Sequence, residues 1–568
     1  DLYERRAQLG LTAEQDRLLE RYRSDFVRAG AALDESDQAH LRALNEELSS
    51  LSAEFSARLF AETNACAVHV EDEEQLTGLS PNAIASAREA ARSRGLESGY
   101  LLPLVLPTAQ PALVSLRDRE LRERVFLAAT TRGLADNGHR TTATLSRMVS
   151  LRAERAGLLG YPSHAAYVVE DQTAGTIDAV STMLESLISP AVANARAEEA
   201  ELQAAFEADG GTGALRAWDW AYYAERVKRA RFDVDAAAIR PYLELERVLM
   251  DGVFYAAGEL YGLTFTERHD LPTYHPDVRV FEVSDADGSP LGLFLGDFYA
   301  RESKRGGAWM NTLVDQSGLL GSSPVVVNNL NIPRPADGEP TLLSTDEVRT
   351  AFHEFGHALH GLLSEVGYPR FSGTSVPRDF VEFPSQVNEM WAWWPSVLAR
   401  YAVHHETGEA LPQDVADRLL ASRRYGEGYS TTSYLAAALL DQEWHSRSPS
   451  DAPVAAADVP HFEAEALTRL GLQLDSIPPR YRTSYFSHIF ASGYSAGYYS
   501  YIWSEVLDAD TEDWFYENGG LQRANGDAFR AGLLSRGGSV DPMEAFETVR
   551  GRPPRIEPLL QRRGLLPT

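Results

Sequence analysis

The sequence predicts a mainly α protein in two lobes, with a small β-sheet beside one particular helix. Three observations carry that prediction. Residues 1–235 place apolar and charged side chains at helical period, 278–332 break into short β-rich runs, and helical patterning returns from 334 to the end. A chain of 568 residues has enough length to bury a large core in two lobes. No tandem repeat or low-complexity linker marks a boundary between them.

The opening helix reads from Leu11-Thr-Ala-Glu-Gln-Asp-Arg-Leu-Leu-Glu-Arg-Tyr-Arg, and Ser80-Pro81 starts another with proline in its first turn. Charge runs such as Glu198-Glu-Ala-Glu201 fit solvated helix faces. Val278–Val283 and Leu291–Leu295, separated by Asp285-Ala-Asp-Gly288, predict a hairpin. Pro324–Ile332 predicts a further strand. A sheet here offers an edge along which an extended peptide can add as a strand. The backbone of Gly306-Gly307-Ala308 or of Val327–Leu330 is expected to make those contacts.

Ser344-Thr-Asp-Glu347 is a capping box, so a helix is predicted over about 345–363. Val348, Phe352, Phe355, Leu359 and Leu362 recur at its inward spacing. The other face carries His353-Glu354-x-x-His357. Two imidazoles one turn apart lie roughly 6 Å apart along the axis, close enough to share one tetrahedral zinc. Glu354 follows the first histidine, so its carboxylate reaches a water on the metal without binding the metal itself. That combination is the zinc-plus-general-base unit of a metallopeptidase. Gly356 costs helix propensity and marks a close approach by another backbone or by substrate.

A catalytic zinc needs a third protein ligand and an open position. His360 lies almost a turn beyond His357, too far along the axis to share the ion comfortably. The metzincin pattern needs glycine at 360 and histidine at 363, and this chain has His360 and Leu363. A carboxylate further on remains. Glu382 and Glu389 are seven residues apart and share a face if they share a helix, and spacing does not choose between them.

His353-Glu-Phe-Gly-His-Ala-Leu-His360, followed by Val376-Pro-Arg-Asp-Phe-Val-Glu-Phe-Pro-Ser-Gln386, resembles the thimet oligopeptidase and peptidyl-dipeptidase family of zinc peptidases. The resemblance implies that Glu382 is the third ligand and that Glu389 orients a ligand histidine from behind. A third block, Phe486-Ser-His-Ile-Phe-Ala-Ser-Gly-Tyr-Ser-Ala-Gly-Tyr-Tyr-Ser-Tyr-Ile-Trp503, agrees with it. Here the resemblance implies that His488 and Tyr501 stabilise a tetrahedral intermediate and that Tyr494 rides on a mobile loop. Tyr498 is either a substrate contact or a packing residue. Relatives have three glycines before the loop tyrosine, whereas this chain has Ala491-Ser492-Gly493, so closure is expected to be slower or shaped differently.

Three wordings lean toward the peptidyl-dipeptidase branch: Tyr299–Met310, Pro479–Phe486 and Gly551–Gly564. Such an enzyme must hold a free carboxylate two residues beyond the scissile bond, a task suited to arginine. Arg480 or Arg482 is expected to contribute, with Gly307 and Ala308 as further substrate contacts. The expected fold is therefore a two-lobed helical zincin with a small sheet beside the histidine helix and a deep narrow cleft. Residues 1–115 form a helical segment of one lobe, and 116–568 form the catalytic region.

The expected activity is zinc-dependent release of C-terminal dipeptides from short unfolded peptides, with one Zn2+ per chain. The alternatives are an oligoendopeptidase of the same family and a non-catalytic zinc- or peptide-binding protein. Lys+Arg 53 against Asp+Glu 82 gives a net charge of −29, which argues against nucleic acid or anionic membrane as partner. Cys66 is the only cysteine, so there is no internal disulfide, and a reducing cytoplasm and a monomer are expected. No apolar stretch reaches bilayer length and no signal-like segment opens the chain. Numbering starts at Asp1 without an initiator methionine. The resemblance implies about a hundred further residues ahead of this point in relatives, a domain-sized segment. The chain is thus expected to be a natural short form or a truncated one.

Overall fold

The computed structural model describes residues 2–566 except 234–235, 302, 305–306 and 336–337. The chain divides into two compact units, each assembled from separate stretches. The first comprises Asp1–Phe26, Val234–Arg423 and Ser500–Arg562; the second comprises Val27–Asp233, Arg424–Tyr499 and Arg563–Thr568.

The second unit is built on three long helices, Glu35–Ala65, Ile177–Ala208 and Glu427–His445. Side-chain caps start the first two: Asp34 accepts from the Asp37 N–H and Thr176 from the Ala179 N–H. The third is buried over most of its circumference. A Cβ on Gly428 would lie 2.4 Å from the backbone nitrogen of Ala195, so glycine is what lets it pack against Ile177–Ala208. Buried Asp219 accepts from Arg119 and from buried Arg122, which satisfies a charge that would otherwise be costly there. Residues 1–235 are not the uninterrupted run of helices that their periodicity predicts. Strands β1 (Val68–Val70) and β2 (Tyr100–Leu102) pair antiparallel, Val68 opposite Leu102. Three residues are too few to display an alternation.

The first unit holds a five-stranded sheet: β3 (Thr264–Glu267), β4 (Arg279–Ser284), β5 (Pro290–Tyr299), β6 (Trp309–Val314) and β7 (Val325–Ile332). Their order is β3-β4-β5-β7-β6. The predicted hairpin is β4–β5, closed through Gly288 at φ 81°. β3 extends the sheet ahead of the expected start at 278. β7 runs parallel to β5, with Leu295 opposite Val327, and antiparallel to β6, with Met310 opposite Asn328. This corrects one expectation: within Val327–Leu330, residues 327–329 are paired on both sides, and this interior strand offers no edge to an added one. The edges are β3 and β6, and Gly307 and Ala308 lead directly into β6. Gly306 lies outside the described residues. The turn ahead of β6 is tied down by buried Asp297, which accepts from Arg301, Lys304 and Tyr274.

The histidine helix spans Thr345–Leu362 and starts at the predicted box: Ser344 Oγ accepts from the Glu347 N–H, and Glu347 accepts from the Ser344 N–H at 2.7 Å. Val348, Phe352, Phe355, Leu359 and Leu362 are all buried, in one cluster with Phe281, Phe294 and Val326 of the sheet. Each such side chain contributes about 1.5–3 kcal/mol on leaving water. That packing orients the helix and turns His353 and His357 away from the core.

Candidate metal centre

The glutamate helix, Arg378–Glu389, crosses the histidine helix at Gly356, where an added Cβ would stand 2.6 Å from Ser385 Cα and 2.8 Å from Asn388 Cβ. Glycine there serves a second helix, one of the two readings the sequence allowed. Asn388 Nδ2 donates to the carbonyl of Phe352 at 2.7 Å, which locks the register of the crossing. Both glutamates therefore ride one helix and face the histidines.

They serve different nitrogens. Glu382 Oε2 is 3.2 Å from His353 Nε2 and 3.3 Å from His357 Nε2. Glu389 Oε1 accepts from His353 Nδ1 at 2.7 Å, and Arg349 Nε stands 3.8 Å from its other oxygen. Glu389 as acceptor holds a proton on Nδ1, so Nε2, which faces Glu382, is the nitrogen that becomes a metal donor once its own proton leaves. One atom each from His353, His357 and Glu382 falls within 4.8 Å of the others, a donor set that fits a tetrahedral zinc with an open position. Burial depresses the basicity of His353, but the hydrogen bonds its ring donates to Glu382 and Glu389 outweigh it and push the ring up to about 10. Glu382 is held well below the ordinary carboxylate range, burial opposing and the two imidazoles prevailing. A cation at this point takes over the charge balance that the proton otherwise supplies.

Glu354 is buried and its Oε2 has no hydrogen-bond partner within the protein. Burial raises its pKa above the ordinary value. An unpaired buried carboxylate oxygen beside the donor set is the arrangement a proton-transferring base requires. His360 is buried, outside the donor set, and pulled down to about 3 by burial, so it is a neutral packing residue. A second grouping, His404, His405 and Glu406, sits on a partly exposed turn. There His404 Nδ1 accepts from the backbone N–H groups of Glu406 and Thr407, so the ring cannot carry its proton on Nδ1 while Nε2 binds a metal.

Tyr501 belongs to the first unit, at the start of the helix Ser500–Glu517. His488, Tyr494, Tyr498, Arg480 and Arg482 belong to the second unit. His488 lies on the short helix Ser487–Phe490, with its ring centroid 5.7 Å from Tyr494 and 5.4 Å from Tyr498. Burial, helped by the charge of Arg480, lowers its pKa, so the imidazole is neutral near pH 7. Tyr498 is buried, stacked on Tyr434 at 5.3 Å and edge-on to Phe486 at 4.9 Å, which favours packing over the substrate contact the sequence left open. Arg482, expected to contribute to carboxylate recognition, is engaged within its own unit. Its Nε donates to Glu463 at 2.8 Å, and Glu463 also accepts from the Thr483 N–H. Arg480 is exposed and close enough to bias His488. Sequence reasoning missed Asp441, Gln442 and His445, which hold the tyrosine loop; the only local signal was an acid and a histidine four apart on one helix.

Residues 112–565 match peptidase family M3. The chain belongs to that family. This M3 chain is 46% identical over 564 residues to the dipeptidyl carboxypeptidase of Escherichia coli (strain K12), covering 99% of this chain and 82% of that one. The dipeptidyl carboxypeptidase of Salmonella typhimurium (strain LT2) matches with the same identity and coverage. Oligopeptidase A of Escherichia coli is 36% identical over 564 residues, covering 98% and 82%. The family expected from the three motifs is thus the family found, and the M3 chain is a metallopeptidase acting on peptides. Among the described residues no helix is long and apolar enough to cross a membrane.

Proposed function

We propose that this M3 peptidase is a zinc-dependent dipeptidyl carboxypeptidase, with one zinc per chain held by His353, His357 and Glu382, working as a monomer in the cytoplasm. The observation that carries the chemistry is the convergence of those three donors beside the unpaired carboxylate oxygen of Glu354. The choice of branch is supported by 46% identity to a dipeptidyl carboxypeptidase against 36% to an oligopeptidase A.

Zinc, when bound, supplies a Lewis acid and makes water acidic enough to act near neutral pH. Glu354 takes the proton from the attacking water and hands it to the leaving amine, work that suits a carboxylate whose proton affinity burial has raised. Glu389 holds the His353 proton on Nδ1 and so keeps Nε2 directed at the donor set. The neutral ring of His488 and the hydroxyls of Tyr494 and Tyr501 donate to the developing oxyanion. Arg480 receives the free C-terminal carboxylate, and Gly307 and Ala308, ahead of the edge strand β6, present backbone groups to the extended peptide.

Two substitutions separate these roles. Glu354→Gln keeps its zinc, measured by atomic emission, while turnover of a blocked hexapeptide falls by about 10²–10⁴-fold. Glu382→Gln loses the zinc and with it the release of dipeptides. Normal turnover in the first, or full zinc in the second, refutes the assignment.

A further inference from the structure

The loop that carries Tyr494 and Tyr498 contains a backbone conformation that needs external support. Ala496 has φ 53°, in the left-handed region that residues with a Cβ avoid. It is one of two non-glycine residues with positive φ among those described, and it is fully buried. Such a conformation persists only where the surroundings over-determine it.

The surroundings come from the helix Glu427–His445 of the same unit. Asp441, with no exposed surface, accepts the Ala496 N–H on Oδ1 at 2.8 Å and the Tyr498 N–H on Oδ2 at 2.9 Å. Gln442 Nε2 donates to the Ala496 carbonyl at 3.0 Å. The amide and carbonyl of the strained residue are both held by consecutive side chains of one helix. His164 adds a contact between Nε2 and Ser495 Oγ at 2.9 Å.

Asp441 is itself fixed. His445 Nδ1 stands 2.7 Å from Oδ1, and Arg152 Nη1 stands 2.8 Å from His445 Nε2. Arginine only donates, so Nε2 accepts and the proton sits on Nδ1, aimed at Asp441. The carboxylate thus meets three N–H donors and acts purely as an acceptor. Burial keeps His445 below its ordinary pKa, which agrees with a neutral ring in that tautomer.

We infer that Asp441, buttressed by His445 and Arg152, is a positioning residue for catalysis: it clamps the 494–498 turn in its left-handed form and so sets where the Tyr494 hydroxyl is presented. The inference rests on the reading that Tyr494 assists the reaction.

The test is steady-state kinetics on a blocked peptide, with zinc content and thermal melting recorded for every variant. In Asp441→Asn the amide oxygen replaces Oδ1, and an NH2 group then faces the Tyr498 N–H, so that anchor is lost. Expected are a fall in kcat of about 10- to 100-fold, KM within about twofold and unchanged zinc. Ala496→Gly, made in the Asp441→Asn background, recovers part of that kcat, because glycine enters the left-handed region freely; a merely structural aspartate predicts no such recovery. Gln442→Leu removes only the donor to the Ala496 carbonyl and covers the case in which Asp441→Asn does not fold. It lowers kcat severalfold at nearly unchanged melting temperature. Unchanged kcat in Asp441→Asn or Gln442→Leu, or a loss that Ala496→Gly does not relieve, overturns the inference. Tyr494→Phe separates the two levels: unimpaired kcat there removes the reading beneath the inference, whereas impaired Tyr494→Phe with unimpaired Asp441→Asn overturns the inference alone.

Discussion

His353 is addressed from both sides, by Glu382 at Nε2 and by Glu389 at Nδ1, and that division of labour decides which glutamate can share a metal with it. The sequence put both acids on one helical face but could not tell the nitrogens apart, because the distinction depends on how two helices cross. The same limit applies to the arginines. Arg482 is claimed by Glu463, nineteen residues away in sequence, and nothing local announces the pair. Arg480 keeps its place beside His488, with a consequence for pH. Native His488 lies below its ordinary value of 6.5, so between those values the unfolded chain binds the extra proton. Its contribution to stability is therefore full above 6.5 and is lost as pH falls through 6.5 toward the native value. Replacing Arg480 by Gln removes one of the two causes, burial remaining. The imidazole titration followed by NMR should move upward, and the acid limb of kcat/KM should move with it. An unshifted titration would remove Arg480 from the site.

Two helices carry the donor set, and their spacing depends on one missing Cβ. Gly356→Ala puts a methyl group 2.6 Å from Ser385 Cα, a backbone atom that cannot swing aside. The helices must part, at a cost of about 1–3 kcal/mol, and Glu382 moves with its helix. Urea unfolding should show the loss and a zinc competition assay a weaker site; unchanged values in both would contradict the crossing. The histidine helix itself was legible because Ser344 and Glu347 form a local cap and five apolar residues repeat at one spacing. β4 and β5 were legible for similar reasons, with alternation on either side of an Asp/Gly turn. The interior place of β7 was not, since its partners β5 and β6 are recruited from either side of the order, one parallel and one antiparallel. β1 and β2, three residues each, carry too little pattern to be read.

Over the whole chain, each unit gathers stretches from distant parts of the sequence. The breaks share no common composition, and the one at Tyr499/Ser500 falls inside the tyrosine-rich motif itself, so patterning could announce two lobes but not where they divide. The catalytic motifs escape this limit because their chemistry is written in short local spacings: a histidine pair one turn apart, two glutamates on the next helix, and a tyrosine-rich loop. What those spacings leave open is the bond the enzyme selects. The decisive measurement is mass spectrometry of products from a short N-blocked peptide and from its C-terminal amide, with and without chelator. The account predicts dipeptide release from the free acid alone, abolished by chelation and restored by zinc. Equal cleavage of the amide, or internal cuts in both peptides, would contradict it and move the enzyme to the oligopeptidase branch of its family.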